Sequence, residues 1–376
     1  MGKRVVGLFA GIGGIEAGLA ESGFEAELLC EIDPGARAVL SAEFPGSELV
    51  DDVETLAGLP DCDVLSAGFP CQDLSQAGRT AGIEGSRSGL VQKIFELLDS
   101  SASDPEWLLL ENVPFMLRLD KGRAMSVLTE LLESRGYRWS YRLVDARAFG
   151  LPQRRRRVVV LASKTSDPRP VLFGQDTDWV EPEFADQACG FYWTEGNTGL
   201  GFVVDAIPTL KAGSSVGVPS PPAIWYPSTG GICKPSITDA ERLQGFSPDL
   251  TTAALDAGVR KGFRWKYVGN AVPVPLAAWV GERLTSDCGV HSIDLDSDID
   301  NQKWPDAAWG DAGQRRTVDV SRWPVQASLR SLADFVTNPE PLSERALKGF
   351  HKRLNASSLR RSEAFDEALD YAVASF

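Results

Sequence analysis

Histidine is nearly absent from this sequence of 376 residues, which contains only His291 and His351. Because none occurs in the first 290 residues, that region cannot contain a Ser–His or Cys–His catalytic pair. Thiol chemistry there must be assisted by a carboxylate or an arginine. The six cysteines include no CxxC pair and no zinc-type spacing, so we expect no metal site.

Long hydrophobic runs are also missing, and no segment is apolar over enough residues to span a membrane. The stretch VVGLFAGIGG follows Lys3 and Arg4, as in a secretion signal, but four glycines interrupt it and Glu16 follows. This pattern favours a buried strand and a tight turn over a signal peptide. We therefore expect an intracellular protein without a membrane partner.

Positive charge is scarce overall, since the net charge is -14, but it is concentrated in one region. Residues 118–169 contain thirteen Lys or Arg and five Asp or Glu, and residues 154–157 are four consecutive arginines. A basic face on an acidic protein is compatible with binding a phosphate backbone.

The first 165 residues alternate short apolar runs with amphipathic ones, which predicts βαβ units and a mainly parallel sheet. Predicted strands are RVVGLFA, EAELLCEID, CDVLSAGFP, EWLLLENV and RVVVLAS. Residues 164–235 are rich in Pro, Gly, Ser and Thr, which is typical of a recognition surface made of loops. A helix with a Thr238–Glu241 capping box is predicted next, and two amphipathic helices are predicted around 343–355 and 359–374.

A cysteine in a loop of small residues is the most unusual feature of the first half. Cys71, in AGFPCQDLSQAG, follows the strand predicted at residues 64–69, which suggests a reactive thiol at the end of a strand. Glu111, in LLLENVPF, ends another predicted strand. Because ligands bind outside the carboxyl ends of parallel strands, we expect Cys71 and Glu111 to face one crevice.

The first predicted strand leads into a turn that contains Gly11, Gly13 and Gly14, and Glu31 ends the next strand. Such glycines let a ligand approach the backbone, and the Glu31 carboxylate can accept hydrogen bonds from ribose hydroxyls. The GxGxxG pattern of NAD-binding proteins fails because Glu16 occupies its last position. The pattern fits an adenosyl ligand without a pyrophosphate, and Asp52 could reach its adenine amino group.

Six motifs in order resemble those of the DNA (cytosine-5) methyltransferases: GLFAGIGG, GFPCQ, ENV, QRRRR, ERLQGF and VGNAVPVPLA, between about residues 4 and 284. The resemblance implies an α/β fold, the Rossmann-like class I S-adenosylmethionine-dependent methyltransferase domain. It implies a catalytic domain over residues 1–163, completed by 262–284, and a smaller, loop-rich target recognition domain over 164–261. Residues 285–376 form an extension to which it assigns no role. Gly7 departs from the family, many of whose members have an acidic residue there.

The resemblance also assigns the chemistry. Cys71 would add as a thiolate to C6 of a cytosine rotated out of duplex DNA, and protonated Glu111 would hydrogen-bond to N3. The Q-x-R-x-R pattern maps to Gln153, Arg155 and Arg157, with Arg155 contacting the base and Arg157 serving as an anchor. Residues 72–89 would form a mobile loop that closes over the pocket.

S-Adenosyl-L-methionine is the implied cofactor, and the motif positions assigned to it are Phe9, Gly11, Gly13, Gly14, Glu31, Asp52, Leu90 and Asn270. Supporting positions are Pro70, Gln72, Asn112, Gln153 and Arg157. The implied partner is double-stranded DNA, bound by a monomer without a metal, in the cytoplasm of a bacterial or phage-infected cell. The ERLQGF motif is interpreted as structural.

Three alternatives stay open at this point. An RNA methyltransferase of related design is the nearest, although the CFT tripeptide of its tRNA-directed members is missing. A nicotinamide-dependent oxidoreductase would leave GFPCQ and ENV unexplained. A non-catalytic DNA-binding protein with this fold would not need Cys71, Glu111 and Arg155, all of which are present.

Overall fold

The structure is a computed structural model that describes residues 2–69, 90–102, 104–194, 199–214, 216–289, 297–299 and 303–376. Pro70, Cys71 and Gln72 lie outside the described residues, and so does the predicted closing loop at residues 72–89. In the described ranges, no helix has the length and apolar character that a membrane span needs.

The amino-terminal part forms a parallel sheet with strands in the order β3-β2-β1-β4-β5. The strands are β1 (Lys3–Leu8), β2 (Phe24–Cys30), β3 (Glu48–Val50), β4 (Val64–Ala67) and β5 (Trp107–Asn112). Helices α1 (Gly14–Ala20), α2 (Pro34–Glu43) and α3 (Leu90–Ser100) lie between them in the chain. The predicted βαβ pattern is confirmed here, and the carboxyl ends of these strands meet at one edge.

The sheet continues with antiparallel strands that the hydrophobic pattern did not fully predict. After α4 (Arg123–Glu133), the strand β6 (Arg138–Asp145) pairs with β8 (Arg156–Ser163), and β8 pairs with β5. The short strand β7 (Gln153–Arg154) pairs separately with β11 (Ile207–Pro208). The sheet is therefore parallel in one half and antiparallel in the other.

A second, antiparallel sheet has the strand order β10-β9-β12-β13-β17. It follows a short helix, α5 (Arg169–Phe173), and its strands are β9 (Cys189–Phe191), β10 (Val203–Val204), β12 (Ala223–Tyr226), β13 (Gly231–Lys234) and β17 (Glu340–Pro341). Short strands joined by long connections match the loop-rich texture predicted for residues 164–235. The fifth strand comes from the carboxyl-terminal extension.

Four helices follow the second sheet: α6 (Ile237–Arg242), α7 (Ala253–Asp256), α8 (Arg264–Asn270) and α9 (Val274–Thr285). The predicted Thr238–Glu241 capping box is wrong, because Ser236 caps α6 and exchanges hydrogen bonds with Asp239. Glu241 is instead buried, where it accepts from Thr251 and pairs with Arg264.

Helix α9 packs against α1 and so returns the chain to the first sheet. A Cβ atom at Gly14 would lie 2.3 Å from the Val272 carbonyl oxygen, and one at Gly18 would lie 2.4 Å from that of Val274. The two glycines therefore permit the close contact, which brings the VGNAV motif to the first sheet as predicted.

The extension adds to both sheets. Strands β14 (Ser297–Asp298), β15 (Ala307–Asp311) and β16 (Gln314–Thr317) continue the large sheet from β6 in the order β6-β15-β16-β14, so its described part has ten strands. After α10 (Leu332–Phe335), helices α11 (Glu344–Asn355) and α12 (Glu363–Ala374) confirm the two predicted amphipathic helices. Their Phe350 and Phe365 share a core with Phe191 and Trp225 of the second sheet.

Candidate active site

A cavity of about 490 Å³ lies at the carboxyl ends of β1 and β2. Seven of the eight residues predicted to bind the cofactor line it: Phe9, Gly11, Gly14, Glu31, Asp52, Leu90 and Asn270. Gly13 is not among the lining residues. Its φ is +80°, and a Cβ there would lie 2.4 Å from the Phe44 ring, so Gly13 shapes the turn against α2.

The Glu31 carboxylate is fixed by two backbone groups at the mouth of this turn. Its Oε2 accepts from Gly11 N at 2.9 Å, and its Oε1 accepts from Asp33 N at 2.8 Å. Burial raises the pKa of Glu31, although both hydrogen bonds oppose this rise. Gly11 has φ +58°, and an added Cβ would have nothing within 4 Å. The glycine turn thus orients a carboxylate beside open space.

Asp33, Lys266 and Tyr267 also line the cavity, and none of the three was predicted from the sequence. Asp33 caps α2 and accepts from Lys266 Nζ at 2.8 Å and from Tyr267 Oη at 2.9 Å. Burial raises the pKa of Asp33, but these hydrogen bonds outweigh it and hold the pKa below its ordinary value. Lys266 and Tyr267 directly precede the VGN motif in the sequence, and this position was the signal from which both could have been predicted.

A buried carboxylate at Glu16 explains the unusual glycine at position 7. Glu16 lines the cavity at 3% exposure and accepts from Ser66 Oγ at 2.7 Å. A Cβ at Gly7 would lie 2.4 Å from Glu16 Oε1. The carboxyl group of Glu16 therefore occupies the space that a side chain at position 7 would need, and burial raises its pKa.

A larger cleft of about 1520 Å³ adjoins the cavity, and both are lined by Gly68, Glu111 and Asn270. Among the described residues that line the cleft, seven are Lys or Arg and two are carboxylates, Glu111 and Asp306. The two spaces therefore meet at Glu111, and the larger one is basic. The described residues contain no group of three His, Cys, Asp or Glu side chains that could hold a metal.

Glu111 is nearly buried and lies 2.7 Å from Arg157 Nε through its Oε1. Burial raises the pKa of Glu111, and the charges of Arg157 and Arg155 oppose this rise. The neighbouring Asn112 donates from Nδ2 to the Phe69 carbonyl at 3.0 Å. This bond ties the end of β5 to Phe69, the last described residue before GFPCQ reaches its cysteine.

The surroundings of Arg155 and Arg157 favour the reverse of the roles expected for them. Arg155 has no exposed surface and donates to the carbonyl oxygens of Leu210, Gly269 and Ala271 at 2.7–3.1 Å. Its guanidinium therefore joins the segment around Leu210 to the end of α8, and Arg155 is not among the described residues that line the cleft. Arg157 does line the cleft, beside Glu111.

The Gln153 side chain forms hydrogen bonds with segments that follow it in the chain, one of which contains the ERLQGF motif. Its Nε2 donates to the Leu243 carbonyl at 2.7 Å, and its Oε1 accepts from Leu210 N at 3.0 Å. Gln244, in ERLQGF, donates to the Val268 carbonyl at 2.7 Å. These buried bonds support a structural role for ERLQGF and a supporting one for Gln153.

Residues 3–188 match the family model of the C-5 cytosine-specific DNA methylases. The chain is also 48% identical to the type II methyltransferase M2.BsuMI of Bacillus subtilis (strain 168), over 98% of this chain and 97% of that protein. The chain belongs to the C-5 cytosine-specific DNA methylase family. The resemblance drawn from its motifs is thereby confirmed.

A second relative is the type II methyltransferase M.NgoBI of Neisseria gonorrhoeae, with 29% identity over 73% of this chain and 90% of that protein. Among solved structures, the S. pombe Dnmt2 methyltransferase is similar with a TM-score of 0.55 and 17% identity, over 75% of this chain and 98% of that one. The Entamoeba histolytica methyltransferase EhMeth has a TM-score of 0.51 and 16% identity, over 76% and 98%. These likenesses confirm the predicted methyltransferase fold.

Proposed function

We propose that this member of the DNA methylase family transfers the methyl group of S-adenosylmethionine to C5 of a cytosine in a specific sequence of duplex DNA, with Cys71 as the nucleophile. One observation carries the proposal. The cavity with the features of an adenosyl site opens into a basic cleft at Glu111, a buried acid paired with Arg157.

The cavity fits the cofactor in size and in chemistry. Its volume of about 490 Å³ lies in the usual range of small-molecule sites. The fixed carboxylate of Glu31 can accept hydrogen bonds from ribose hydroxyls, Asp52 from the adenine amino group, and Phe9 offers a ring for packing. When bound, S-adenosylmethionine supplies a methyl group activated by its sulfonium.

Cys71 carries the covalent step. Its thiolate adds to C6 of cytosine, and C5 then becomes nucleophilic enough to accept the methyl group. After a base removes the C5 proton, the C6–S bond breaks and the thiolate is released. Cys71 itself lies outside the described residues. The hydrogen bond from Asn112 Nδ2 to the Phe69 carbonyl ties the start of the GFPCQ motif to the end of β5, which also contains Glu111, and this supports the choice of nucleophile.

Glu111 and Arg157 assist this addition. With its pKa raised by burial, Glu111 can hold a proton and donate it in a hydrogen bond to N3 of the ring. Arg157 both positions Glu111 and presents a guanidinium to the base carbonyl O2. Both contacts withdraw electron density from the ring as the thiolate attacks C6.

The target base must leave the duplex to reach this junction. C6 of a stacked cytosine is inaccessible, and enzymes that modify bases rotate the nucleotide out of the helix. The cleft has the size and the basic lining that an everted nucleotide and its flanking phosphates require. Duplex DNA is therefore the proposed substrate.

Transfer of labelled methyl groups to duplex DNA, to RNA and to no acceptor tests the substrate. We expect incorporation into duplex DNA alone. Labelling of RNA alone would contradict the proposal and favour the related RNA methyltransferase. Bisulfite sequencing of DNA from cells that express the protein would identify the methylated sequence.

Duplex DNA that contains 5-fluorocytosine tests the nucleophile, because the fluorine at C5 cannot leave as a proton does. We expect a covalent adduct with the wild-type chain and none with Cys71→Ser. Cys288→Ser is the matched control, since Cys288 is half-buried and does not line the cleft. Persistence of the adduct in Cys71→Ser would show that another residue is the nucleophile.

A further inference from the structure

Part of the basic cleft is lined by the carboxyl-terminal extension. Lys303, Trp304, Pro305, Asp306 and Arg322 all line it, and we call these five residues the C-terminal rim. They lie beyond residues 3–188, which match the family model, and beyond the last shared motif. Neither the matched family model nor the motifs assign the rim a function.

Backbone hydrogen bonds hold the rim against the catalytic sheet. Strand β15 begins at Ala307, directly after the first rim segment (residues 303–306), and it pairs with β6. Leu143 N donates to the Asp306 carbonyl at 2.7 Å, and Asp145 N donates to the Arg322 carbonyl at 3.1 Å. Both segments of the rim are therefore fixed at the same end of β6.

Trp304 anchors the beginning of the rim. Its indole donates to the Gly122 carbonyl at 2.9 Å, and its ring packs against Tyr141 with centroids 6.1 Å apart. Tyr141 in turn donates to the Pro305 carbonyl at 2.8 Å. The backbone of the rim is thus fixed beside an exposed lysine, Lys303.

The charged side chains of the rim differ in whether another side chain already neutralises them. The Arg322 guanidinium donates to Asp306 Oδ2 at 2.5 and 2.8 Å, so these two charges offset each other. Within the described ranges, the Lys303 ammonium has no hydrogen bond or ion pair. Arg118 also lines the cleft and is exposed. Lys303 is therefore an exposed cation that directly precedes the fixed rim residue Trp304 and is open to an anion in the cleft.

We propose that the C-terminal rim binds the phosphate backbone of the substrate DNA, with Lys303 in contact with a phosphodiester next to the target cytosine. The proposal rests on the proposed function, because it takes duplex DNA as the occupant of the cleft. A phosphate contact carries no base information, so the rim increases affinity for any duplex sequence. Asp306 limits this affinity by neutralising Arg322.

Binding of the full-length chain to a fluorescent duplex, measured by anisotropy over a series of salt concentrations, tests the rim. Each phosphate contact contributes about 0.9 to the slope of log K against log salt. We expect Lys303→Ala to reduce the magnitude of the slope by about that amount and to weaken binding at low salt. Lys352→Ala is the matched control, an exposed lysine of the extension in α11 that does not line the cleft.

Asp306→Asn gives a change of opposite sign. The substitution preserves shape and frees the Arg322 charge, so we expect tighter binding and a steeper slope. Equal slopes for wild type, Lys303→Ala and Lys352→Ala would overturn the rim proposal, even if the wild-type chain methylates DNA. If the wild type methylates no DNA but Lys303→Ala still lowers the slope, the rim stands as a DNA contact and the proposed function fails.

Discussion

At the scale of single residues, Gly7 and Glu16 share one space. Gly7 lies in β1 opposite Ser66 of β4, and Ser66 donates to Glu16 from the same place. The carboxyl group of Glu16, which is 3% exposed, fills the space that a side chain at position 7 of the strand would occupy. The sequence showed that position 7 departs from the family, but only coordinates reveal the residue that compensates.

Gly7→Ala tests this arrangement. The new Cβ would lie 2.4 Å from Glu16 Oε1 and 2.9 Å from Leu29 Cδ2, and overpacking of this kind costs about 1–3 kcal/mol. Urea unfolding should show this loss, and the double variant Gly7→Ala/Glu16→Ala should recover part of it. Gly46→Ala, where nothing lies within 4 Å of the added Cβ, should stay within about 0.5 kcal/mol of wild type. Equal stability of Gly7→Ala and Gly46→Ala would contradict the shared space.

At the scale of elements, the hydrophobic pattern predicted both terminal helices and four of the five parallel strands, but neither the short strand β3 nor β6. Strand β6 is buried along nearly its whole length, yet it contains Arg142, which interrupts the apolar run. The Arg142 guanidinium donates to the carbonyl oxygens of Leu172 and Gln175, thirty or more positions away. Such long-range partners are invisible in a local pattern, so a buried arginine is easily assigned to the surface.

The same limit applies to the roles that the resemblance implied for Arg155 and Arg157. The motif places both beside the active site, and only their partners distinguish them. Arg155 binds three backbone carbonyls of other segments, whereas Arg157 contacts Glu111.

Replacing each arginine with lysine distinguishes a structural anchor from a residue that assists the reaction. A lysine cannot reproduce the fork of Arg155, so Arg155→Lys leaves buried carbonyls without donors and should cost about 2 kcal/mol or more. Arg157→Lys should affect unfolding less and lower methyl transfer by about a hundredfold. Urea unfolding and single-turnover transfer measure the two effects. Equal loss of stability in both variants, with equal transfer, would show that the distinction is wrong.

At the scale of the whole molecule, the extension connects the two sheets. Its strand β15 covers the edge of β6, and its helices α11 and α12 cover the second sheet. The division of the chain at residues 163, 261 and 285 stays a prediction, because the sequence marks where a motif pattern ends but not where a core ends. Residues 285–376 contribute to the cores of both parts.

A chain that ends at Thr285 would expose these cores. Six buried side chains of the second-sheet core would be lost: Leu342, Leu347, Phe350, Leu354, Phe365 and Leu369. At roughly 1.5–3 kcal/mol each, their burial contributes on the order of 10 kcal/mol, which is comparable with the whole stability of a domain. We expect the truncated chain to be insoluble or to lose its cooperative thermal transition.

A point variant shows the same dependence without truncation, because Phe350 stacks on Phe191 of the second sheet. Phe350→Ala should cost about 3–5 kcal/mol and should also weaken DNA binding, since Tyr192, which directly follows β9 and Phe191, lines the cleft. Phe376→Ala, at an exposed position, is the control and should behave as wild type.

A truncated chain that unfolds cooperatively at the wild-type temperature would show that the extension is an appendage. In that case, only the rim would connect it to the active site.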